Sequence, residues 1–337
     1  MFSEKSNLHA RQKKHKPGNL RTLALDITAR CNMQCPHCYA DTFRNVEPVD
    51  LHILQNTLDE AYDLGVYHYV LQGGEPIEDP ERLEAILSMI HPDETYINVV
   101  TNGWGMTNEK IQWLKMLKVD KIAFSLDSGI EYEHDNNRKL GSFQRVMTGI
   151  DNVLKEGLFA SISTVVTHTS LYSPGFHKAY EFAKSKGIRI DVQIAEPVGK
   201  WDGNTENLMT KEDSEYIKEL QMSSPVLLNG QRMVNRDIYC GEFDHCPAGT
   251  EFMGITVDGQ VLPCNFLQYT LGNIKTNGFR EMRDLLLTSQ WFDGKHPNCL
   301  CGENQKFISE FILPYTNVQK PLNAREVFHL KACINHQ

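Results

Sequence analysis

The stretch that decides the fold is Thr22-Leu-Ala-Leu-Asp-Ile-Thr28 with the segment after it, Cys31-Asn-Met-Gln-Cys35-Pro-His-Cys38. The first run is mostly apolar and predicts a strand buried on both faces. The second places three thiols directly after that strand. Three thiolates can hold three irons of a cubane iron–sulfur cluster and leave the fourth iron open to a small molecule. Such an open iron could do chemistry on the bound molecule; the alternatives for the same cysteines are an inert cluster or a zinc site that borrows His37 or a distant residue as its fourth ligand.

Composition and charge narrow the class of protein. The chain has 337 residues, 41% apolar and 23% charged, as in a soluble globular protein with one large domain or one large and one small. No apolar run is long enough for a membrane span, and no secretory signal is visible, which predicts a cytoplasmic protein without a membrane partner. A net charge of −9 argues against nucleic acid as a partner. Residues 1–20, with basic residues at 11–16, are interpreted as a solvated polar tail.

The nine cysteines fall into two groups. Three lie at positions 31, 35 and 38, and the other six lie in the last third of the chain: Cys240, Cys246, Cys264, Cys299, Cys301 and Cys333. A reducing compartment disfavours disulfides, and cysteines used only for packing would be scattered. The distribution predicts two ligand regions.

Strand and helix patterns alternate along the first two hundred residues. Strands are predicted at residues 22–28, 67–71, 96–101, 121–126, 159–166 and 188–194. Between them lie helical stripes, one ending at Gly65 and another running from Ser142, an N-cap candidate, to Gly157. Six such units predict an α/β fold, a partial (β/α)6 TIM-like barrel over residues 21–205.

The pattern changes over residues 206–337, which predict a small cysteine-rich α+β extension with a C-terminal helix. Asp258-Gly259 joins two short apolar runs and predicts a β-hairpin with a type I′ turn. Because Cys246 precedes this hairpin and Cys264 closes it, the hairpin can bring the two thiols together.

In parallel α/β folds the chemistry lies at the carboxyl ends of the strands. The residues predicted at those ends are Gly73, Gly74, Glu75, Pro76, Asn102, Ser125, Asp127 and Glu196. Gly73 and Gly74 permit close backbone approach to a ligand, and Glu75 offers an acceptor for an ammonium group.

With the three cysteines placed one βα unit before Gly73–Pro76, residues 22–200 resemble the radical S-adenosylmethionine (SAM) enzymes. The resemblance implies that Cys31, Cys35 and Cys38 hold a [4Fe–4S] cluster whose open iron chelates SAM. One electron, from a donor such as flavodoxin or ferredoxin, then cleaves SAM to methionine and a 5′-deoxyadenosyl radical. That radical abstracts a hydrogen atom from the substrate.

The resemblance also implies roles for the other residues. The Gly73–Pro76 segment matches the contact to the SAM amino group, while Asn102, Ser125 and Asp127 match contacts to the ribose or carboxylate. His37 replaces the usual Tyr or Phe and can still pack on the adenine, with Tyr39 adjacent. Arg138 is expected to pair with a carboxylate of SAM or substrate, or to be a solvated surface arginine.

The second cysteine region resembles the SPASM or shorter twitch extension of radical SAM enzymes. A two-cluster extension would show a downstream C-x2-C-x5-C-x3-C run, whereas this chain has only Cys299-Leu-Cys301. We therefore expect one auxiliary [4Fe–4S] cluster on Cys246, Cys264, Cys299 and Cys301. Cys240 is a rival ligand, a hydrogen-atom donor to a product radical, or a packed cysteine; Cys333 is expected to pack.

Two substrate classes follow from the resemblance. Because residues 1–20 leave no room for a leader-peptide domain, the main expectation is an oxidoreductase acting on a small polar metabolite. A sugar or aminocyclitol would then undergo dehydrogenation, epimerisation or elimination. The alternative is a ribosomal-peptide maturase that forms thioether or carbon–carbon crosslinks or epimerises residues. A third reading, from another class, is a non-enzymatic iron–sulfur or zinc protein that senses or scaffolds.

Overall fold

The computed structural model describes residues 5–16, 18–223, 228–230 and 245–331. Its main body is six consecutive βα units whose strands are β1 Thr22–Asp26, β2 His68–Gln72, β3 Tyr96–Thr101, β4 Lys121–Ser125, β5 Phe159–Val166 and β6 Arg189–Ile194. These strands pair in chain order and all run parallel. The partial barrel and its six strands are confirmed, with each end within two residues of its predicted position.

The C-terminal extension continues the same sheet. Strand β7 (Leu228–Gly230) joins β6, and β8 (Phe252–Ile255) pairs in parallel with β1 at the opposite edge. Strand β9 (Val261–Leu262) is antiparallel to β8, while β10 (Tyr269–Thr270) and β11 (Leu322–Asn323) form a separate small sheet. The extension is therefore anchored beside the strand that precedes the first cysteine group.

The helices are α1 Ser6–Lys14, α2 Leu51–Asp63, α3 Pro80–Met89, α4 Asn108–Met116, α5 Glu131–Asn137, α6 Ser142–Lys155, α7 Pro174–Lys186, α8 Lys211–Ser223, α9 Phe279–Leu286, α10 Gln305–Phe307 and α11 Ala324–Val327. Helix α2 forms the predicted stripe that ends at Gly65; it buries Leu54, Leu58 and Ala61, and Asp50 caps its first turn. No helix among these is both long and apolar enough to cross a bilayer.

The inner and outer faces of the barrel strands differ in polarity more than the sequence suggests. Outward residues such as Tyr69, Ile97 and Phe124 are fully buried in the main hydrophobic core. Inward residues alternate with them, as strand geometry requires, and include His68, Asn98 and Lys121 along a cavity. The prediction of apolar strands therefore describes the outer face, while the inner face carries polar groups.

Two local predictions are wrong. Helix α6 begins at Ser142, but its first turn is capped by Asp135, which accepts from the backbone N–H of Gly141 at 2.6 Å and of Phe143 at 2.8 Å. The Asp135 carboxylate reaches these donors from the preceding helix, so the Ser142 hydroxyl only donates to it. The hairpin between β8 and β9 has a five-residue connection in which only Gly259 is left-handed, at φ 91°, whereas a type I′ turn needs two such residues.

The segment predicted as a polar tail contains a packed helix. In α1 the Leu8 side chain is fully buried, and the Lys5 ammonium just before it lies 2.6 Å from the Asp120 carboxylate. The Arg11 guanidinium stacks over the Tyr62 ring, 3.6 Å from its centre. These contacts attach residues 5–14 to the outside of the barrel. Basic side chains can take part in such packing because their long aliphatic stems cover apolar surface.

Candidate active site

One cavity of about 300 Å³ brings the two cysteine groups together. It runs along the inner face of the barrel strands and reaches the extension. Seven free thiols line it: Cys31, Cys35, Cys38, Cys246, Cys264, Cys299 and Cys301. The first three come from the cysteine loop, residues 29–38 after β1, and the other four come from the extension. Cys240 and Cys333 lie outside the described residues, so their predicted roles stay predictions.

The glycine pair after β2 holds the cysteine loop in place. The N–H of Gly74 donates to the carbonyl oxygen of Thr28, and that of Glu75 donates to the carbonyl oxygen of Arg30, each at 2.8 Å. A Cβ on Gly74 would lie 2.1 Å from the Arg30 oxygen, and Gly73 has φ +117°. Glycine is therefore required at both positions by the backbone of the cysteine loop itself, in addition to any ligand.

Glu75 and Asn102 join the ends of β2 and β3 to the same loop. The buried Glu75 carboxylate accepts from the Thr101 hydroxyl at 2.8 Å and from the Asn102 N–H at 2.7 Å. Burial raises the pKa of Glu75 to about 7 despite these bonds. The Asn102 amide donates to Asn32, which lies between the first two cysteines, at 2.9 Å.

Two guanidinium groups contact the core cysteines. Arg44 donates to the Cys38 sulfur at 3.5 Å, and Arg138 donates to the Cys35 sulfur at 3.9 Å. Cationic N–H donors favour thiolates and tune a cluster bound to them. Arg44 was missed in the sequence, where its only distinguishing feature is its place six residues after Cys38.

The structure places Asp127 differently from the predicted SAM contact. Arg138 donates to it from Nε at 2.7 Å and from Nη2 at 2.8 Å, and His37 lies 3.8 Å away. Although burial acts in the opposite direction, the charges of Arg138 and His37 hold the pKa of Asp127 below its usual range. Arg138 is thus a buried cavity residue and not a solvated one, while Asp127 orients it from behind.

Most of the residues that the sequence predicts to bind the cofactor line the cavity, and two do not. His37, Tyr39, Gly73, Gly74, Glu75, Asn102, Ser125 and Arg138 line the cavity, whereas Pro76 and Asp127 do not. The Tyr39 hydroxyl donates to Asp26 at 2.9 Å, and its ring packs edge-on against Phe266 of the extension. Tyr39 therefore links the cysteine loop to the second cysteine group.

A carboxylate accompanies the four cysteines of the extension. Glu196, which follows β6, is buried, and the Cys299 thiol donates to its Oε1 at 3.6 Å. Burial raises the pKa of Cys246, Cys264, Cys299 and Cys301, and the charge of Glu196 raises it further. The barrel thus contributes an acidic group to the auxiliary site, as its position at a strand end suggests.

The donor set fits iron–sulfur clusters. Within the described ranges, no three or more His, Cys, Asp or Glu side chains converge where one metal ion would be held. A cubane spreads its thiolates over separate irons, which suits a group composed of thiols alone.

A cysteine loop after the first strand, facing a second cysteine group across a shared cavity, defines an iron–sulfur enzyme with a partial-barrel core. The radical SAM superfamily matches residues 25–189, and the iron–sulfur cluster-binding SPASM domain matches residues 246–302. The chain belongs to the radical SAM superfamily and carries a C-terminal SPASM domain. It is therefore an enzyme that uses a [4Fe–4S] cluster and SAM, with auxiliary iron–sulfur binding in the extension.

Two curated relatives cover most of the chain. The AdoMet-dependent heme synthase of Methanosarcina barkeri is 28% identical, over 78% of this chain and 81% of its own. The PqqA peptide cyclase of Ruegeria pomeroyi is 25% identical, over 85% of this chain and 77% of its own.

Solved structures share the fold. Streptococcus suis SuiB bound to the precursor peptide SuiA has a TM-score of 0.63 at 19% identity, covering 85% of this chain and 69% of SuiB. The enzyme anSMEcpe with AdoMet and the Cp18Cys peptide has a TM-score of 0.57 at 20% identity, covering 82% of each chain.

Proposed function

We propose that this enzyme carries out an oxidative radical modification of a peptide. The observation that carries the proposal is the shared cavity, in which the core and auxiliary cysteines face a common interior. A substrate in that interior would lie within reach of both cysteine groups. Holding substrate and cofactors in contact is the main contribution a protein makes to such chemistry.

Different residues of the chain would have different roles in this reaction. Cys31, Cys35 and Cys38 would hold the core cluster, and the segment after β2 would receive the SAM amino group beside it. Arg138 gives its Nε and Nη2 to Asp127, lines the cavity, and would place its positive charge beside the core cysteines and a carboxylate of SAM or substrate. With bound cluster and SAM, the site supplies a radical that removes a substrate hydrogen atom.

The auxiliary site would consist of one [4Fe–4S] cluster on Cys246, Cys264, Cys299 and Cys301. These four thiols share the buried Glu196 as a neighbour, which supports one group of ligands. Such a cluster would supply an electron acceptor. A flavodoxin or ferredoxin would supply the electron for SAM cleavage.

The relatives support a peptide substrate over the small polar metabolite that the sequence favours. A peptide cyclase matches 85% of the chain, and folds bound to peptides match it in structure. A second candidate is a tetrapyrrole, because the 28% identical relative is a heme synthase. The non-enzymatic alternative is not retained, since the chain is a radical SAM enzyme.

Anaerobic reconstitution with iron and sulfide tests the proposal. Reduced enzyme with SAM should form 5′-deoxyadenosine, and host peptide fractions should stimulate that formation more than metabolite or porphyrin fractions do. Mass spectrometry should then show a peptide that has lost hydrogen. Stimulation by porphyrins alone would favour a tetrapyrrole substrate. Stimulation by sugars alone would favour a small polar metabolite.

A further inference from the structure

The wall of the cavity between the two cysteine groups is formed by β5 and β6. Ser163 and Val165 of β5 and Gln193 of β6 line it. Ser163 is the register partner of Ser125, the last residue of β4, and Val165 is the partner of Gln193. Glu196, which contacts an auxiliary cysteine, follows three residues after Gln193. We name Ser163, Val165 and Gln193 the central wall, because it lies between the predicted SAM contact Ser125 and the auxiliary site.

The polar side chains of the central wall are open to the cavity. Ser163 and Gln193 are partly exposed, and neither side chain has a hydrogen-bond partner within the described ranges. Their polar atoms keep accessible surface, unlike the buried amide oxygen of Asn98. Polar atoms inside a protein bind water or a ligand when the protein itself offers no partner. A guest that reproduces the hydrogen bonds of such water can take its place.

Gln193 presents the two groups that bind a peptide main chain. Its carboxamide has a carbonyl oxygen that accepts and an NH2 group that donates. In an antiparallel ladder two facing residues exchange both of their N–H···O=C bonds, so an extended residue presents its N–H and its C=O on the same side. The carboxamide carries a matching acceptor and donor side by side. The Ser163 hydroxyl can donate to, or accept from, a neighbouring peptide group.

The charges around the central wall disfavour an anionic guest. None of its three side chains is charged. Asp191, two residues before Gln193, is bonded to Lys121 and Ser161 among other contacts, so this carboxylate and this ammonium are already paired. Glu196 brings a negative charge that would repel a carboxylate held at Gln193. A tetrapyrrole with several carboxylates therefore fits the central wall less well than a neutral peptide main chain does.

We propose that the central wall binds the main chain of the substrate, with Gln193 paired to the N–H and the C=O of one extended residue. Ser163 would bond to the next peptide group, on the side of Ser125. The identity of the guest as a peptide rests on the proposed function, whereas the open donor and acceptor of Gln193 do not. Main-chain binding at this position would decide which residue of the substrate is held between the core and the auxiliary cysteines.

Crystals of reconstituted enzyme with SAM, soaked in two small amides at equal concentration, test the proposal. N-acetylglycine N-methylamide is a blocked single residue that has both the N–H and the C=O. N-acetylsarcosine N-methylamide is the matched compound, because a methyl group replaces the N–H of the residue. The glycine compound should appear at Gln193 with both hydrogen bonds, and the density should be lost with the sarcosine compound.

A pair of variants tests the role of the carboxamide. Gln193→Leu keeps a similar volume but removes the donor and the acceptor, so the density of the glycine compound should be lost. Gln112→Leu is the matched control, because Gln112 is exposed on α4 and does not line the cavity, and it should leave the density unchanged. If Gln193→Leu fails to fold, the comparison of the two compounds in the wild-type enzyme decides the matter.

Water alone at Gln193 would overturn the inference, as would equal density for the two compounds or density that persists in Gln193→Leu. Failure of the proposed function gives a different pattern. If the glycine compound binds but porphyrins alone stimulate the enzyme, the peptide is removed as the guest of the central wall. If peptides are modified by an enzyme that holds only water at Gln193, the central wall is removed as their binding site.

Discussion

The two cysteine groups share one cavity but differ in the charged side chains that contact their sulfur atoms. The core cysteines are contacted by the guanidinium groups of Arg44 and Arg138. Among the auxiliary cysteines, Cys299 contacts the carboxylate of Glu196, and the charge of Glu196 raises the pKa of Cys301 as well. Cations and N–H donors near cluster sulfurs raise a cluster's reduction potential, while negative charge lowers it. Both sites use cysteine thiolates, but the thiolates have different charged neighbours. We therefore expect the two clusters to differ in reduction potential as well as in the number of cysteine ligands.

Removing cysteines should give the largest contrast. Cys31→Ala should abolish SAM cleavage, because the open-iron cluster needs all three thiolates, whereas Cys246→Ala should leave residual cleavage. Each variant should fall from about eight to about four irons per chain if both sites hold cubanes. Iron analysis and 5′-deoxyadenosine assays measure both effects. Equal cleavage by the two variants would end the distinction between the groups.

Breaking the Arg138–Asp127 pair should give the next largest effect. Both side chains are buried, at 8% and 4% exposure, so Arg138→Met leaves an unpaired carboxylate and should cost about 3–5 kcal/mol of unfolding free energy. Because the pKa of Asp127 is held low, the pair's contribution is present at neutral pH. It is lost as pH falls below about 4, the unfolded value, toward the folded pKa.

Chemical denaturation followed by circular dichroism measures this change. Arg145→Met is the matched control, because Arg145 is exposed, and it should cost less than about 1 kcal/mol. The double variant Arg138→Met with Asp127→Leu should recover part of the loss. If the double variant is no more stable than Arg138→Met, the unpaired charge is not the cause.

Glu75 predicts a pH dependence on the core side. Its pKa rises from 4.5 to about 7 on folding because burial disfavours the charged form. The folded state therefore holds the proton more tightly, and stability falls as pH rises from about 4.5 to about 7, by roughly 3 kcal/mol. Denaturation of the SAM-free enzyme at several pH values measures this, and Glu75→Gln should flatten the curve. A slope that persists in the variant would assign it to another group.

The smallest expected effects are on reduction potentials, and they test the opening contrast directly. Arg44→Met should move the core cluster to a more negative potential, and Glu196→Gln should move the auxiliary cluster to a less negative one. Redox titration followed by electron paramagnetic resonance separates the two clusters. Shifts of the same sign in both variants would contradict the proposed difference between the two sites.

Much of the fold is local in origin and was predictable. The strand before Cys31 and the helix from Leu51 are marked by apolar periodicity and a capping aspartate, which act over a few residues. The Ser142 cap failed because Asp135 reaches the same N–H donors from the preceding helix. The prediction of a solvated N-terminal tail is wrong because one leucine among the basic residues, Leu8, is buried.

The sequence by itself determined the barrel, the three-cysteine loop and the glycine pair that faces it, because each depends on a pattern among residues close together in the chain. Only the tertiary structure decided that Arg138 reaches Cys35, that Glu196 stands among the auxiliary thiols, and that Gln193 lies beside Val165. The Arg138 and Glu196 contacts join residues about a hundred positions apart, and the Val165–Gln193 pairing joins neighbouring strands. The physical reason is that strand register and the alternation of inward and outward side chains fix which distant groups share a face, and no local pattern encodes that register.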